Sequence, residues 1–172
     1  MSLLDEKIIP QLSNTPKLFD TWLRNMPDEL IHGNEGKDTW SPFDVIGHLI
    51  HGEKTDWIPR AKIIIAGTNT PFEPFDRFAQ FESSQGKTMH QLLDEFSVLR
   101  TDNIKELKNL NITDSMLGLN GMHPALGEVT LENLLTTWVA HDLSHIHQVS
   151  RVLAFQLKSQ VGPWKQYLGV IK

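Results

Sequence analysis

Apolar residues recur along the chain at the three- and four-residue spacing of amphipathic helices, in four separate blocks. The first block, Leu18, Phe19, Trp22, Leu23 and Met26, predicts helix A, with Thr15 as its N-cap and Pro16 at its first helical position. Upstream, Leu3, Leu4, Ile8 and Ile9 begin a shorter pattern that Pro10 is expected to interrupt. Pro27 and the run His32-Gly33-Asn34-Glu35-Gly36 close helix A. Helix B has the clearest start: Ser41 as cap, Pro42 next, and Asp44 as a carboxylate in the first turn. Its inward stripe is Val45, His48, Leu49 and Gly52, flanked by Ile46 and Ile50, with a kink expected at Pro59 and a break at Gly67.

Helix C is predicted over residues 88–110 on Met89, Leu92, Leu93, Phe96, Leu99 and Leu107, and carries no evident chemistry. Helix D is capped by Thr130, has Glu132 in its first turn, and runs to about residue 158 on Leu131, Leu134, Leu135, Trp138, Val149, Val152 and Leu153. Between B and C, residues 68–86 hold Phe72, Phe75, Phe78 and Phe81, too aromatic for a bare linker, so they are expected to cover the bundle or wall a pocket. Residues 113–130, with Gly118, Gly121, Gly127 and His123-Pro124, read as an irregular connection. Gly162-Pro163-Trp164 ends the helical pattern, and the tail should fold back because Trp164 and Tyr167 are large to leave in water. With no alternating strand pattern, the expectation is an all-α four-helix bundle forming one domain over residues 1–172, with a long crossover loop between helices B and C.

Composition narrows the chemistry. A chain of 172 residues buries roughly 70% of its unfolded surface, enough for a full core without staples. It has no cysteine, which excludes disulfides, thiolate ligands and a cysteine nucleophile, so a transition-metal site must come from histidine and carboxylate. A net charge of −5 with no Lys/Arg run argues against nucleic acid as partner. The start Met-Ser-Leu-Leu-Asp-Glu-Lys lacks a signal-peptide layout, and the longest aliphatic run, Ile63-Ile64-Ile65-Ala66, is too short for a membrane span. A soluble cytoplasmic protein is expected.

Helix D interrupts its apolar stripe with His141 and His145, one turn apart on a common face. Each imidazole can satisfy itself on a backbone carbonyl, but two neighbours then need two separate partners, whereas one shared ion serves both. His48 on the inward stripe of helix B supplies a third. Two helices of a bundle thus offer a three-histidine set, His48, His141 and His145.

Trp40-Ser41-Pro42 leading into Gly47-His48-Leu49, and His141-Asp142-Leu143-Ser144-His145 followed by Gln148, resemble the DinB/YfiT-like superfamily of four-helix bundles with a histidine triad. Similarity to one branch of it runs through Asp56-Trp57-Ile58-Pro59-Arg60, Phe75-Asp76-Arg77-Phe78, His123-Pro124-Ala125-Leu126-Gly127-Glu128 and Val161-Gly162-Pro163-Trp164. The resemblance implies a divalent metal, nickel or zinc, on His48, His141 and His145. It also implies activities such as thiol S-transfer with a low-molecular-weight thiol like bacillithiol, or isomerisation with mycothiol, and, being compatible with homodimers, it leads to the expectation of one here.

Three imidazoles leave coordination positions open for a small-molecule substrate. One chemistry is attack by an external thiol, activated as thiolate, on an epoxide or alkyl halide. A second is hydrolysis by activated water, with Asp142 placed like the glutamate of a His-Glu-x-x-His motif, although Asp142 is shorter and better suited to an ion pair or a supporting hydrogen bond. In a third, the metal only ties helices B and D together in a binding module, with Glu53 as a closing ligand or else part of a solvated face. His147 should face outward, and His51 should line the mouth or support a ligand. His123 should serve a turn or reach substrate, and Trp57, Arg60 and Arg77 should shape an anion-accepting rim or pack on the surface. Glu29-x-x-His32, in loop-like sequence without a second copy, is read as chance.

Overall fold

A computed structural model describes residues 3–68 and 70–171; Met1 and Ser2 of the expected leaderless start, Asn69 of the crossover and Lys172 of the tail lie outside the described residues. Prolines do not divide the N-terminal segment as expected. A π-helical turn, Leu4–Ile8, runs directly into α1 (Ile9–Leu23). The Ile9 N–H reaches back to the Leu4 carbonyl, and Pro10 falls where the register returns to α, so its missing N–H breaks nothing. Nor is Thr15 a cap: it is buried in mid-helix, its hydroxyl donating to the Gln11 carbonyl at 3.2 Å. Pro16, inside the helix, cannot donate to the Leu12 carbonyl. Arg100 takes that carbonyl instead, Nη1 to O at 3.0 Å.

After the short α2 (Asp28–His32), where the sequence predicted loop, Ser41 starts α3 (Pro42–Thr55) with a full capping box. Its hydroxyl accepts the Asp44 N–H, and the Asp44 carboxylate accepts the Ser41 N–H at 2.9 Å. The expected kink is a break at Asp56, after which α4 (Trp57–Ala66) carries Pro59 in its first turn and ends on Gly67 at φ +62°. The crossover contains α5 (Ala79–Ser83) and leads to α6 (Met89–Asn109), boxed by Thr88 and Gln91. Residues 113–130, expected to be irregular, form an antiparallel hairpin, β1 (Asn120–His123) with β2 (Gly127–Thr130), paired from Asn120–Thr130 to His123–Gly127. Phe72 donates its N–H to the Met122 carbonyl at 2.9 Å, tying the crossover to this hairpin. Thr130, boxed with Asn133, then opens α7 (Leu131–Gln156).

The predicted helices A, B, C and D correspond to α1, α3 with α4, α6, and α7, and they close a four-helix bundle: α6 packs between α3 and α1, and α7 packs against α1, α3 and α4. Contrary to expectation, Trp164 and Tyr167 are 71% and 73% exposed. The tail is anchored by buried Ile171 in the last 3-10 turn, which packs on α7, and the two aromatic rings lean on one another at 6.3 Å.

The core comes in two apolar layers. One gathers Leu12, Trp57, Ile58, Leu107, Leu131 and Trp138; the other gathers Phe19, Leu23, Val45, Leu49, Phe96 and Val149. At the level between them each long helix contributes a buried polar side chain: Thr15, Glu53, Arg100 and Asp142. Arg100 is the hub. Its guanidinium donates to both Asp142 oxygens at 2.6 and 2.9 Å and to Glu53 Oε1 at 2.8 Å. Glu53 also accepts from Trp138 Nε1 at 3.0 Å and from Asn103 Nδ2 at 2.9 Å. Burial pushes the Glu53 carboxyl above its usual range, against the pull of Arg100 and Asn103.

Candidate metal centre

The periodicity that buries Val45 and Leu49 turns His48 inward from α3, and α7 brings His141 and His145 to meet it. His141 Nε2 lies 3.1 Å from Nε2 of His48 and 3.1 Å from Nε2 of His145. Two nitrogens on a tetrahedral ion at Zn–N distances of 2.0–2.1 Å stand about 3.3 Å apart, close to the two 3.1 Å spacings, and all three ligand atoms lie within 4.8 Å of one another. Proton bookkeeping favours one shared cation. His145 Nδ1 faces Gln148 Oε1 at 2.8 Å, and because an amide oxygen only accepts, Nδ1 carries the proton and Nε2 presents a lone pair. A proton on His141 Nε2 could point at only one of its two neighbours, leaving lone pairs opposed. Nδ1 of both His48 and His141 is buried without a hydrogen-bond partner among the described residues.

All three rings favour the neutral, ligating form. Burial, followed by the charges of His145, His51 and Arg77, lowers His48 to about 3. Burial, with His145, His48 and Arg100, lowers His141 to about 3. Burial also lowers His145, opposed by Gln148 and Asp142. Among the described residues this is the one cluster of three or more His, Asp or Glu side chains able to hold a metal ion.

Aromatic rings wall the cluster. Trp40 lies 4.8 Å from His48 and stacks on His145 at 6.4 Å, Trp57 meets His141 edge-on at 5.2 Å, and Phe75 meets His48 edge-on at 5.3 Å. Above the rings opens a cavity of about 620 Å³, walled also by Phe72, Val129 and Leu134, with Arg60, Arg77 and Arg151 around it. Asp56 pairs with Arg60 at 2.6 Å and Glu35 with Arg151 at 2.7 Å. Burial raises the Asp56 carboxyl to about 6 despite Arg60. The aromatic crossover therefore does form a pocket wall.

The remaining candidates fall into place. Glu53 neither closes the ligand set nor lies on a solvated face: it is buried and held by Arg100, Asn103 and Trp138. Asp142, between His141 and His145 on α7, points away from them into a bidentate pair with Arg100. His51 packs on Phe75 at 4.9 Å, His147 is exposed, and His32, on α2 with Glu29, packs on Phe43 at 4.9 Å away from the cluster. His123 serves the hairpin turn, accepting the Ala125 and Leu126 N–H groups at 3.1 Å, and lies on the cavity lining. Arg100 is the residue that sequence reasoning missed. Its signal was a cation at a stripe position, four residues after Phe96 and seven before Leu107.

The sequence profile of the DinB superfamily matches residues 11–149. The chain belongs to the DinB superfamily. Among solved structures, YfiT from Bacillus subtilis, described as a probable metal-dependent hydrolase with an unusual four-helix bundle topology, superposes with a TM-score of 0.75 at 24% identity, covering 89% of this chain and 87% of its own. TT2238, described as a four-helix bundle protein, gives a TM-score of 0.50 at 14% identity over 82% of this chain and 94% of that one. These likenesses concern the fold. Curated proteins yield no match. Among the described residues no helix is long and apolar enough to cross a membrane.

Proposed function

We propose that this DinB-superfamily chain binds one divalent ion, nickel or zinc, on Nε2 of His48, His141 and His145, and uses it to couple an external low-molecular-weight thiol through its sulfur to an electrophilic small molecule, an S–C bond forming as an epoxide C–O bond opens or a halide leaves. The observation that carries this reading is the placement of three neutral imidazoles at the floor of a substrate-sized cavity with no acidic side chain among them. A bound ion would supply Lewis acidity, lowering the pKa of an incoming thiol so that it attacks as thiolate. The thiol must come from outside, because the chain has no cysteine.

The protein's own part is positioning. Gln148 fixes the tautomer of His145, the Arg100–Asp142 pair holds the turn of α7 between the two ligands, and Trp40, Trp57 and Phe75 shield the reacting atoms from bulk water. Water-based hydrolysis would want a protein base, yet Asp142 is turned onto Arg100, and the cavity carboxylates Glu35 and Asp56 are tied to arginines. Hydrolysis is the second reading, on the strength of the fold shared with YfiT, described as a probable metal-dependent hydrolase.

The test is turnover by nickel- and zinc-loaded protein. Consumption of bacillithiol, mycothiol or cysteine with an epoxide or alkyl halide, abolished by chelation, supports transfer. Cleavage of esters or amides without any thiol supports hydrolysis. No turnover with the ion still bound would overturn both and leave a metal-tied binding module.

A further inference from the structure

The five arginines of the chain are not equivalent. Arg24, Arg60, Arg100 and Arg151 each grip a carboxylate oxygen at 2.5–2.8 Å. Arg77 has no carboxylate partner among the described residues, although it borders the triad cavity. Its guanidinium carbon stands 6.0 Å from the Trp40 ring and 5.4 Å from the Phe78 ring. Trp40 in turn stacks against His145 and lies beside His48, so one aromatic ring links the free guanidinium to the ligand cluster.

We propose that Arg77 is the anion anchor of this cavity, and that the molecule it serves is a small monocarboxylic acid with an aromatic-sized apolar body. The proposal rests on the reading of the cavity as a substrate site and names the class of compound. Other charges bordering the cavity are matched, Glu35 by Arg151 and Asp56 by Arg60, except Asp38, which is exposed, as Arg77 is, but has no aromatic ring recorded against it. An entering carboxylate therefore meets one uncompensated cation, at the exposed edge of the aromatic wall beside Trp40 and Phe78. Arginine's planar fork suits a carboxylate, which it can hold through two parallel hydrogen bonds while aromatic rings flank the guanidinium. No lysine borders the cavity to help neutralise a phosphate dianion, so a single negative charge is the better match. Trp57, Phe72, Phe75 and Leu134 supply an apolar wall for the body of the acid, and a cavity of about 620 Å³ lies within the usual range for small-molecule sites.

The experiment compares 2-naphthoate with 2-naphthamide, equal in shape and differing in charge. Binding is followed by calorimetry and by quenching of tryptophan fluorescence, on zinc-loaded and on chelator-stripped protein. The wild type should bind the acid about ten-fold or more tighter than the amide in both forms, the contribution of one charge-assisted hydrogen-bonded pair. Arg77→Met should bring the two probes within about two-fold while leaving amide affinity unchanged, which also reports an intact cavity, and Arg77→Lys should restore part of the preference. A preference for the acid that survives in Arg77→Met overturns the proposal, as does one that appears only with zinc, because the carboxylate then sits on the ion. Failure of both probes to bind at millimolar concentration overturns it too, since the cavity then takes no aromatic acid. Protein that holds the acid through Arg77 yet turns nothing over would sink the enzymatic reading and keep this one.

Discussion

Replacing Arg100 by methionine is the sharpest perturbation of the bundle, because it removes the cation and keeps most of the apolar stem. Four contacts disappear: two to Asp142 at 2.6 and 2.9 Å, one to Glu53 at 2.8 Å, and one to the Leu12 carbonyl at 3.0 Å. Water cannot take over easily, since all three charged side chains are at most 2% exposed. Two carboxylates are left buried with no counter-charge, a situation that costs about 3–5 kcal/mol, and the Leu12 carbonyl adds on the order of 1 kcal/mol because Pro16 offers it no helical donor. Against a typical total stability of about 5–15 kcal/mol, a loss of about 4–6 kcal/mol leaves the variant marginal. Urea unfolding of the metal-free protein reads this directly. Adding Glu53→Gln and Asp142→Asn to Arg100→Met should recover part of the loss, since neutral amides tolerate burial better than orphaned carboxylates. A single-variant loss below about 1 kcal/mol, or a triple variant less stable than Arg100→Met alone, would refute the polar-layer reasoning.

Asp56 contributes a pH dependence opposite in sign to that of the buried imidazoles His48 and His141, and paired variants isolate it. Its carboxyl is raised from 3.8 to about 6, so between those values the folded state holds a proton that the unfolded chain releases, and its contribution falls as pH climbs. Wild type should therefore lose up to about 3 kcal/mol relative to Asp56→Asn between about pH 4 and 6 in paired urea titrations; a difference that grows in favour of wild type as pH rises would contradict this. Gln148→Ala should weaken zinc or nickel binding about 10- to 100-fold in competition titrations by freeing His145 to rotate, with little change in helical circular dichroism. Gly121→Ala would place a Cβ 2.6 Å from Ile64 Cγ1 and 2.7 Å from Phe72 Cζ, so the hairpin should lose about 1–3 kcal/mol, seen as a lowered thermal midpoint.

What the sequence made legible is what repeats or caps. Ser41 with Asp44, and Thr130 ahead of Leu131, announce two of the long helices through groups that satisfy the first orphan N–H donors, and the structure starts α3 and α7 there. His48, His141 and His145 were visible because each holds a position on an apolar stripe, and stripe positions converge in a bundle.

The rest depended on partners far along the chain. Pro16 looks like a helix start until Arg100, 84 positions away, is seen to take the carbonyl that Pro16 leaves free. Glu53 reads as a ligand or a surface residue until Arg100, Asn103 and Trp138 surround it. The hairpin strands have four residues each, too short for an alternating pattern to show. The tail misled because size alone does not bury an aromatic ring; Ile171 does the anchoring and Trp164 stays out.

One ion among three imidazoles is the feature on which the proposed chemistry turns. X-ray absorption at the metal edge, on protein carrying one equivalent of zinc, measures the number and kind of its ligands. Three histidine nitrogens at about 2.0–2.1 Å with exchangeable oxygen ligands completing the set, and two histidines after His48→Ala, are the predicted result. Failure to bind zinc stoichiometrically, or a spectrum that His48→Ala leaves unchanged, would contradict the account.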